Sequence, residues 1–236
     1  MPAEADRNKG LDIVNDVYIM NGVHISRSMM RSEPSPREKR RLRTRAAVLD
    51  EALAIMREAG IEGIGVRELA RRLNYSPAAL YRYFENREQI LSTLAVDSMA
   101  LLRARLQAAA AEGGVDPLIS VGEAYLRFAK EEPVRFRLLF VDLPSARKSL
   151  KTPPQKGSPY SIVLDIARAA ITAGRISSDV DADAVAFTLW SLVHGMAVLE
   201  STHLRAFRAD FDRVHTLALQ HLVNGWKRPR KEASRR

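Results

Sequence analysis

Small, basic and aromatic side chains follow one another from Ser76 to Arg87, and the arginines and tyrosines among them can donate hydrogen bonds to a polyanion. Leu80 and Phe84 lie four positions apart, so on a helix they share the face that turns toward a core. The outward arc then carries Ala78, Ala79, Arg82 and Tyr83. Small residues allow close approach to base edges, and a guanidinium can form a fork to guanine O6 and N7. Tyr81, Tyr83 and Arg87 suit phosphate contacts.

The excess positive charge is concentrated at two places. The chain carries a net charge of +9, and residues 37–45 contain six basic residues and one acidic residue. Such an arm, with Arg43 and Arg45 as candidate DNA contacts, can follow a duplex backbone or enter a minor groove. The basic tail, residues 227–236, has the same balance. The alternative for each segment is an ordinary solvated charge run, which we favour for the tail.

Other chemistries find little support in the sequence. Cysteine is absent, which excludes disulfides and thiolate sites and fits a reducing, cytoplasmic environment. The five histidines show no HxxxH spacing and no adjoining carboxylate cluster, so we expect no metal site and no cofactor. No catalytic fingerprint occurs, so an enzyme is not expected. No apolar run approaches the roughly 20 residues of a membrane helix, so we expect no membrane partner.

Aromatic residues in the C-terminal half form a second candidate site. They are Phe128, Phe136, Phe140, Phe187 and Trp190, and His194 lies near them on an apolar segment. At helical spacing such a set is typical of a core, and an apolar pocket between bundle helices is the alternative. The same two alternatives apply to His194, which can pack in the core or contact a ligand.

The elements that must position these residues are helical almost throughout. Ser35 with Glu38 has the form of a capping box and begins a helix that Gly60 ends. Two short helices follow, from Val66 to Leu73 and from Ser76 to Phe84, and Asn86 starts a long one. Two short helices joined by a tight turn form a helix-turn-helix. The remaining predicted helices are 116–131, 133–140, 160–173, 181–201 and 207–224, with a loop at 142–159 and no convincing strand.

The last two predicted helices are apolar around much of their circumference. A single chain of this size has too few other elements to bury both faces of each of these two helices. We therefore expect a four-helix interface between two subunits of a homodimer, the alternative being two ordinary core helices.

The run from Val66 to Glu88 resembles the DNA-binding signature of TetR-type repressors, with its Leu80-Tyr81 pair, Phe84 and basic Arg87. A weaker resemblance, in Tyr125–Ala129, Phe136–Phe140 and Trp190–Gly195, is to the TetR C-terminal domain named for its Trp-His-Gly motif. The resemblance implies an all-helical homodimer with a ligand cavity. By position it places Tyr81, Tyr83 and Arg87 at phosphate contacts, and Ser76, Ala78, Ala79 and Arg82 on the groove-facing helix. Gly65 stands where the family often has a Ser or Thr cap, and Arg67 can replace that phosphate contact.

The predicted fold is therefore all-α, with an N-terminal three-helix helix-turn-helix domain and a C-terminal bundle for ligand binding and dimerisation. The predicted domains are a flexible extension (1–34), the DNA-binding domain (35–95), the bundle (96–226) and the basic tail (227–236). The predicted function is a regulator, specifically a repressor, with double-stranded operator DNA and an unidentified small molecule as partners. The alternatives are a sequence-tolerant, nucleoid-type DNA binder and a helical enzyme or carrier.

Overall fold

The computed structural model describes residues 17–20, 23–26, 35–112, 116–142, 156–204 and 206–227. Contacts divide the chain into two units, Met1–Asp97 and Ser98–Arg236. Apart from a small hairpin, the described residues are helical, so the all-α prediction is confirmed for both units. The predicted domain boundaries stay predictions, and most of the predicted loop at 142–159 and of the basic tail lies outside the described residues.

The first unit is built from α1 (Pro36–Ala59), α2 (Val66–Arg72), α3 (Pro77–Leu80) and the start of α4 (Arg87–Ala111). The capping box at Ser35 is confirmed, because its hydroxyl accepts from the Glu38 amide and the Glu38 carboxylate accepts from the Ser35 amide. Asn86 caps α4 through a 2.8 Å bond from the Gln89 amide. These local bonds satisfy amides that a helix leaves without partners at its first turn.

The core of this unit is apolar and closely covered. Leu80 and Phe84 are both buried, as predicted from their spacing. The other buried members come from α1, α2 and α4: Val48, Ala52, Leu53, Ile55, Leu69, Ile90 and Leu94. The third helix is shorter than predicted, because after Leu80 the chain continues through turns to Phe84, with Arg82 and Tyr83 amides bonded three residues back.

The second unit contains α5 (Pro117–Glu131), α6 (Pro133–Arg137), α7 (Pro159–Thr172), α8 (Ala182–Ser201) and α9 (Phe211–Gly225). A π-helical turn, Leu138–Asp142, continues α6. Helix α5 lies against α7, α8 and α9 and supplies much of the buried core. The last helix begins at Phe211 rather than at the predicted Phe207, because Asp210 caps it through the Arg213 amide.

Helix α8 combines length with apolar composition. Among the described helices it is the one long and apolar enough to cross a membrane by those criteria. Its most apolar stretch of 18 residues has a mean hydropathy of 1.5, and 28% of that stretch is buried. Its inward residues, among them Val185, Leu189 and Val193, pack in the core of the second unit. Its outward face remains largely apolar and accessible in the single chain.

Residues 17–26 contain a feature that the sequence analysis did not predict. Strands β1 (Val17–Met20) and β2 (Val23–Ser26) pair antiparallel, with Met20 opposite Val23. The expectation of no strand is therefore wrong here. The missed signal is the Asn21-Gly22 pair between two β-branched runs, a sequence favoured in two-residue hairpin turns.

Candidate nucleic-acid interface and ligand site

The exposed side of α3 and of the turn that follows it, residues 81–83, is the centre of the candidate nucleic-acid interface. The Ser76 hydroxyl accepts a 3.2 Å bond from the Ala79 amide and so caps the helix. Ala78 and Arg82 are exposed, Ala79 and Tyr83 are half-buried, and Tyr81 is 56% exposed. Because Leu80 and Phe84 anchor the opposite side, this region presents small residues and an exposed guanidinium to solvent.

Helix α2 is held against α1 by an ion-pair network centred on Arg72. Its guanidinium contacts Glu58 at 2.6 Å, Glu68 at 2.8 Å and Glu51 at 3.2 Å. Glu68 also receives two bonds from Arg71, and the bonds from the two arginines lower the pKa of Glu68 to about 2. The network adds charged contacts to the apolar ones that the buried Leu69 and Ala70 of α2 make.

Two of the candidate DNA contacts are engaged within the first unit. The Arg87 guanidinium donates to the carbonyl oxygens of Ile64 and Ile61 at 2.9 and 2.7 Å. Arg45 donates to the Tyr83 carbonyl oxygen, and its guanidinium lies 4.1 Å above the centroid of the Phe84 ring. Desolvation lowers the pKa of Arg45. In contrast, Arg43 and Arg67 are exposed and face solvent.

The start of α2 has the predicted departure at its cap. Gly65 occupies the N-cap position and supplies no side-chain hydrogen bond. Its φ of −149° is accessible to any residue, and a Cβ added there would meet no atom within 4 Å. The position therefore has room for a hydroxyl side chain.

The second candidate site is an aromatic cluster between α5, α6, the π-helical turn and α8. The Tyr125 hydroxyl lies 2.8 Å from His194 Nδ1. The Tyr125 ring lies 5.0 Å from that of Trp190 and 6.1 Å from that of Phe136, and the Phe140 ring lies 5.1 Å from His194. Burial lowers the pKa of His194, so the neutral imidazole is favoured, and burial raises the pKa of the Tyr125 phenol.

The structure separates two of the six candidate ligand residues from this cluster. Phe128 is fully buried beneath Arg105, whose guanidinium lies 5.6 Å from its ring centroid. Phe187 is 65% exposed on the outward face of α8. Tyr125, which the sequence analysis did not single out as a site residue, occupies the centre of the cluster instead.

The space beside the cluster is nearly filled. A cavity lined by Tyr125, Trp190, Leu189 and Val193 has a volume of about 10 Å³. A single water needs about that much, so a larger ligand has to displace side chains.

Comparison with known proteins gives consistent family matches for both units. The family described as bacterial regulatory proteins, tetR family, matches residues 48–94, and the tetracyclin repressor-like C-terminal domain matches residues 118–222. The HTH-type transcriptional regulator YobS of Bacillus subtilis is 24% identical over 176 residues, covering 74% of this chain and 87% of that protein.

Two solved structures share the fold over most of the chain. A protein from Rhodococcus sp. RHA1 superposes with a TM-score of 0.65 at 24% identity, covering 78% of this chain and 95% of that one. The TetR family transcriptional regulator PfmR from Thermus thermophilus has a TM-score of 0.57 at 25% identity, covering 77% of this chain and 99% of that one.

Proposed function

Because the chain belongs to the TetR family of transcriptional regulators, we propose that it is a cytoplasmic repressor that binds a near-palindromic operator as a homodimer and responds to a small ligand. The family and the DNA-binding helix-turn-helix are the premise. Operator reading, the dimer and the ligand response are each supported by a separate feature of the molecule.

The observation that carries operator reading is the exposed face formed by α3 and the turn that follows it, residues 81–83. Ala78 and Ala79 let this face approach base edges, and Arg82 can form two hydrogen bonds to one guanine. Ser76 begins the same face, and Tyr81 and Tyr83 flank it where phosphates would lie. Contacts of this kind select a sequence, whereas a basic surface alone binds any duplex.

Phosphate contacts are assigned to exposed arginines on α1 and α2. Arg43 lies on the basic arm, and Arg67 lies in the first turn of α2, whose N-cap is Gly65. Each contact of this type adds affinity that falls with salt and carries no base information.

The homodimer is proposed from the outward faces of α8 and α9. Phe187 and Leu199 are 65% and 48% exposed, and Val214 and Leu217 on α9 are 49% and 43% exposed. Ser191 and Gly195 lie between Phe187 and Leu199 at four-residue spacing, and a Cβ added at Gly195 would meet nothing within 4 Å in the single chain. A helix of a second copy can pack closely over the small residues Ser191 and Gly195, so two copies would form a four-helix interface around a two-fold axis.

The effector site is proposed at the aromatic cluster. Tyr125, Phe136, Phe140, Trp190 and His194 provide an apolar wall with one polar pair. Phe128 and Phe187 are left out, since the former is in the core and the latter belongs to the proposed dimer face. The ligand is therefore expected to be largely apolar with one hydrogen-bonding group, and to enlarge the cavity as it binds.

The test is selection of binding sites from a random duplex pool at about 150 mM salt. Wild type, Arg82→Ala and the control Arg168→Ala are selected in parallel; Arg168 is an exposed arginine on α7 in the second unit. A bidentate base contact contributes about 1 to 3 kcal/mol, so Arg82→Ala should lose one symmetric pair of base preferences. The control should select the same palindrome as wild type.

The opposite result is equally informative. If wild type enriches no motif and its binding disappears as salt rises, the chain is a sequence-tolerant DNA binder and the operator proposal fails. If an enriched motif is unchanged by Arg82→Ala, the regulator remains but Arg82 does not read a base.

A further inference from the structure

The segment from residue 61 to residue 84, here called the reading head, contains a 3-10 turn (Ile61–Gly63), α2, α3 and the short stretches that follow each of them. A backbone carbonyl oxygen has two lone pairs, so in short turns it can accept a bond from a side chain even where one backbone amide already donates to it. Two of these stretches receive bonds from arginines that lie outside the reading head. One is the turn that enters α2, and the other is the turn that leaves α3.

At the entrance to α2 the donor is Arg87, the first residue of α4. Its Nε bonds to the Ile64 carbonyl oxygen at 2.9 Å, and its Nη2 bonds to that of Ile61 at 2.7 Å. Glu62 adds a longer contact of 3.4 Å to Nη2. The charge of Arg87 is thus directed into the head by two bonds with fixed geometry.

At the exit from α3 the donor is Arg45 on α1. Its guanidinium bonds to the Tyr83 carbonyl oxygen and covers the face of the buried Phe84 ring. The ring and the carbonyl belong to successive residues, so one side chain fixes both the backbone and the core anchor at this end of the head.

We propose that Arg45 and Arg87 are positioning residues that hold the two ends of the reading head through hydrogen bonds to its backbone carbonyls. The inference rests on the proposed operator binding. It departs from the sequence analysis, which placed both among the DNA contacts. A planar guanidinium can serve two acceptors in fixed directions, whereas a lysine ammonium supplies the same charge without that fork.

The test uses Arg87→Lys, Arg45→Lys and Arg87→Gln, with Arg43→Gln as the matched control from the exposed arm. Affinity is measured for the duplex selected by wild type and for a random duplex, at several salt concentrations, with active protein counted by stoichiometric titration. Losing one phosphate contact lowers the slope of log affinity against log salt by about 0.9.

We expect Arg87→Lys and Arg45→Lys each to lower the preference for the selected duplex over the random one by about tenfold, with no change in salt slope. Arg43→Gln should weaken both duplexes and reduce the slope. The inference is overturned if Arg87→Lys keeps the wild-type preference while Arg87→Gln reduces the slope. It is also overturned if the Lys variants lose affinity for both duplexes equally.

Hydrogen exchange of the DNA-free protein separates this inference from the proposed function. In Arg87→Lys, amides of residues 61–84 should exchange about tenfold faster while those of the α1 core, residues 48–56, keep their wild-type rates. This result would support the positioning role of Arg87 even if wild type selected no operator. Unchanged exchange in the reading head would refute it, whatever the DNA data show.

Discussion

The hydrogen bond between Tyr125 and His194 gives a direct test of the aromatic cluster. Tyr125→Phe removes one hydroxyl that lies 2.8 Å from His194 Nδ1 and keeps the ring that packs against Trp190 and Phe136. Tyr125 is 1% exposed, so water cannot replace the phenol from its own side. The imidazole is half-buried and can recover part of its hydration.

The burial of Tyr125 and the partial exposure of His194 decide how far the free energy of unfolding should fall. A net hydrogen bond contributes about 0.5 to 1.5 kcal/mol, and a fully buried group left without a partner costs about 1 to 3 kcal/mol. Because His194 retains some access to water, we expect Tyr125→Phe to lower the free energy of unfolding by about 1 to 1.5 kcal/mol. In a double-mutant cycle with His194→Leu, the coupling energy should be about 1 kcal/mol.

Tryptophan fluorescence during urea unfolding is the appropriate assay, since both tryptophans, Trp190 and Trp226, belong to the second unit. Because a chain with two units need not unfold in one two-state step, a probe confined to one unit is needed. All variants are compared at one protein concentration, because dimer formation shifts apparent stability. The urea midpoint should fall without a change in slope.

Tyr160→Phe is the matched control. Tyr160 also contacts Trp190, with ring centroids 6.2 Å apart, and its side chain is half-buried. Its loss of a hydroxyl should change the free energy of unfolding by less than about 0.5 kcal/mol. A coupling energy below about 0.3 kcal/mol between Tyr125 and His194, or an equally large effect of Tyr160→Phe, would refute the assignment of a stabilising pair.

Three other features of the molecule give further tests, each with its own measurement. Since burial lowers the pKa of His194, its contribution to stability is fully present above the unfolded value of about 6.5 and is lost as pH falls toward the folded value; the second unit should therefore melt at lower temperature at pH 5 than at pH 7.5, and His194→Leu should reduce that difference. Gly65→Ser should stabilise α2 by a few tenths of a kcal/mol through a new cap, seen as slower amide exchange in α2, and unchanged exchange would contradict the capping geometry. Gly195→Leu should convert a dimer to the 26.4 kDa monomer in light scattering while still unfolding cooperatively in urea, whereas the control Thr172→Leu on α7 should remain dimeric; a dimeric Gly195→Leu would place the interface elsewhere.

Local sequence signals predicted most helix starts because the bonds that make them are local. Ser35, Ser76, Asp116 and Asp181 each lie one residue before a helix and accept an amide bond within its first turn. The hairpin at 17–26 was missed even though its turn signal is also local, since the surrounding charges and aliphatics show no sustained period. The late start of α9 is likewise a local capping effect of Asp210.

The candidate sites show where sequence patterns stop being informative. The outward arc of α3 follows from the spacing of Leu80 and Phe84, and both are buried as expected. The same pattern cannot show which backbone carbonyls accept bonds from side chains that are distant in sequence, so the bonds of Arg45 and Arg87 were not predictable. Phe128 and Phe187 have the same side chain, and only the three-dimensional packing separates a core residue from an exposed one.

Helix α8 links the two proposed activities of the second unit. Trp190 and His194 project from it toward Tyr125, while Phe187 and Leu199 occupy its outward face. The cavity of about 10 Å³ beside Trp190 leaves no room for a ligand without movement. Because packed interiors respond to added volume by shifting whole elements, a ligand that displaces Trp190 or His194 should move α8, and with it the dimer face. A ligand can change operator affinity by this route only if it binds one arrangement of α8 better than the other.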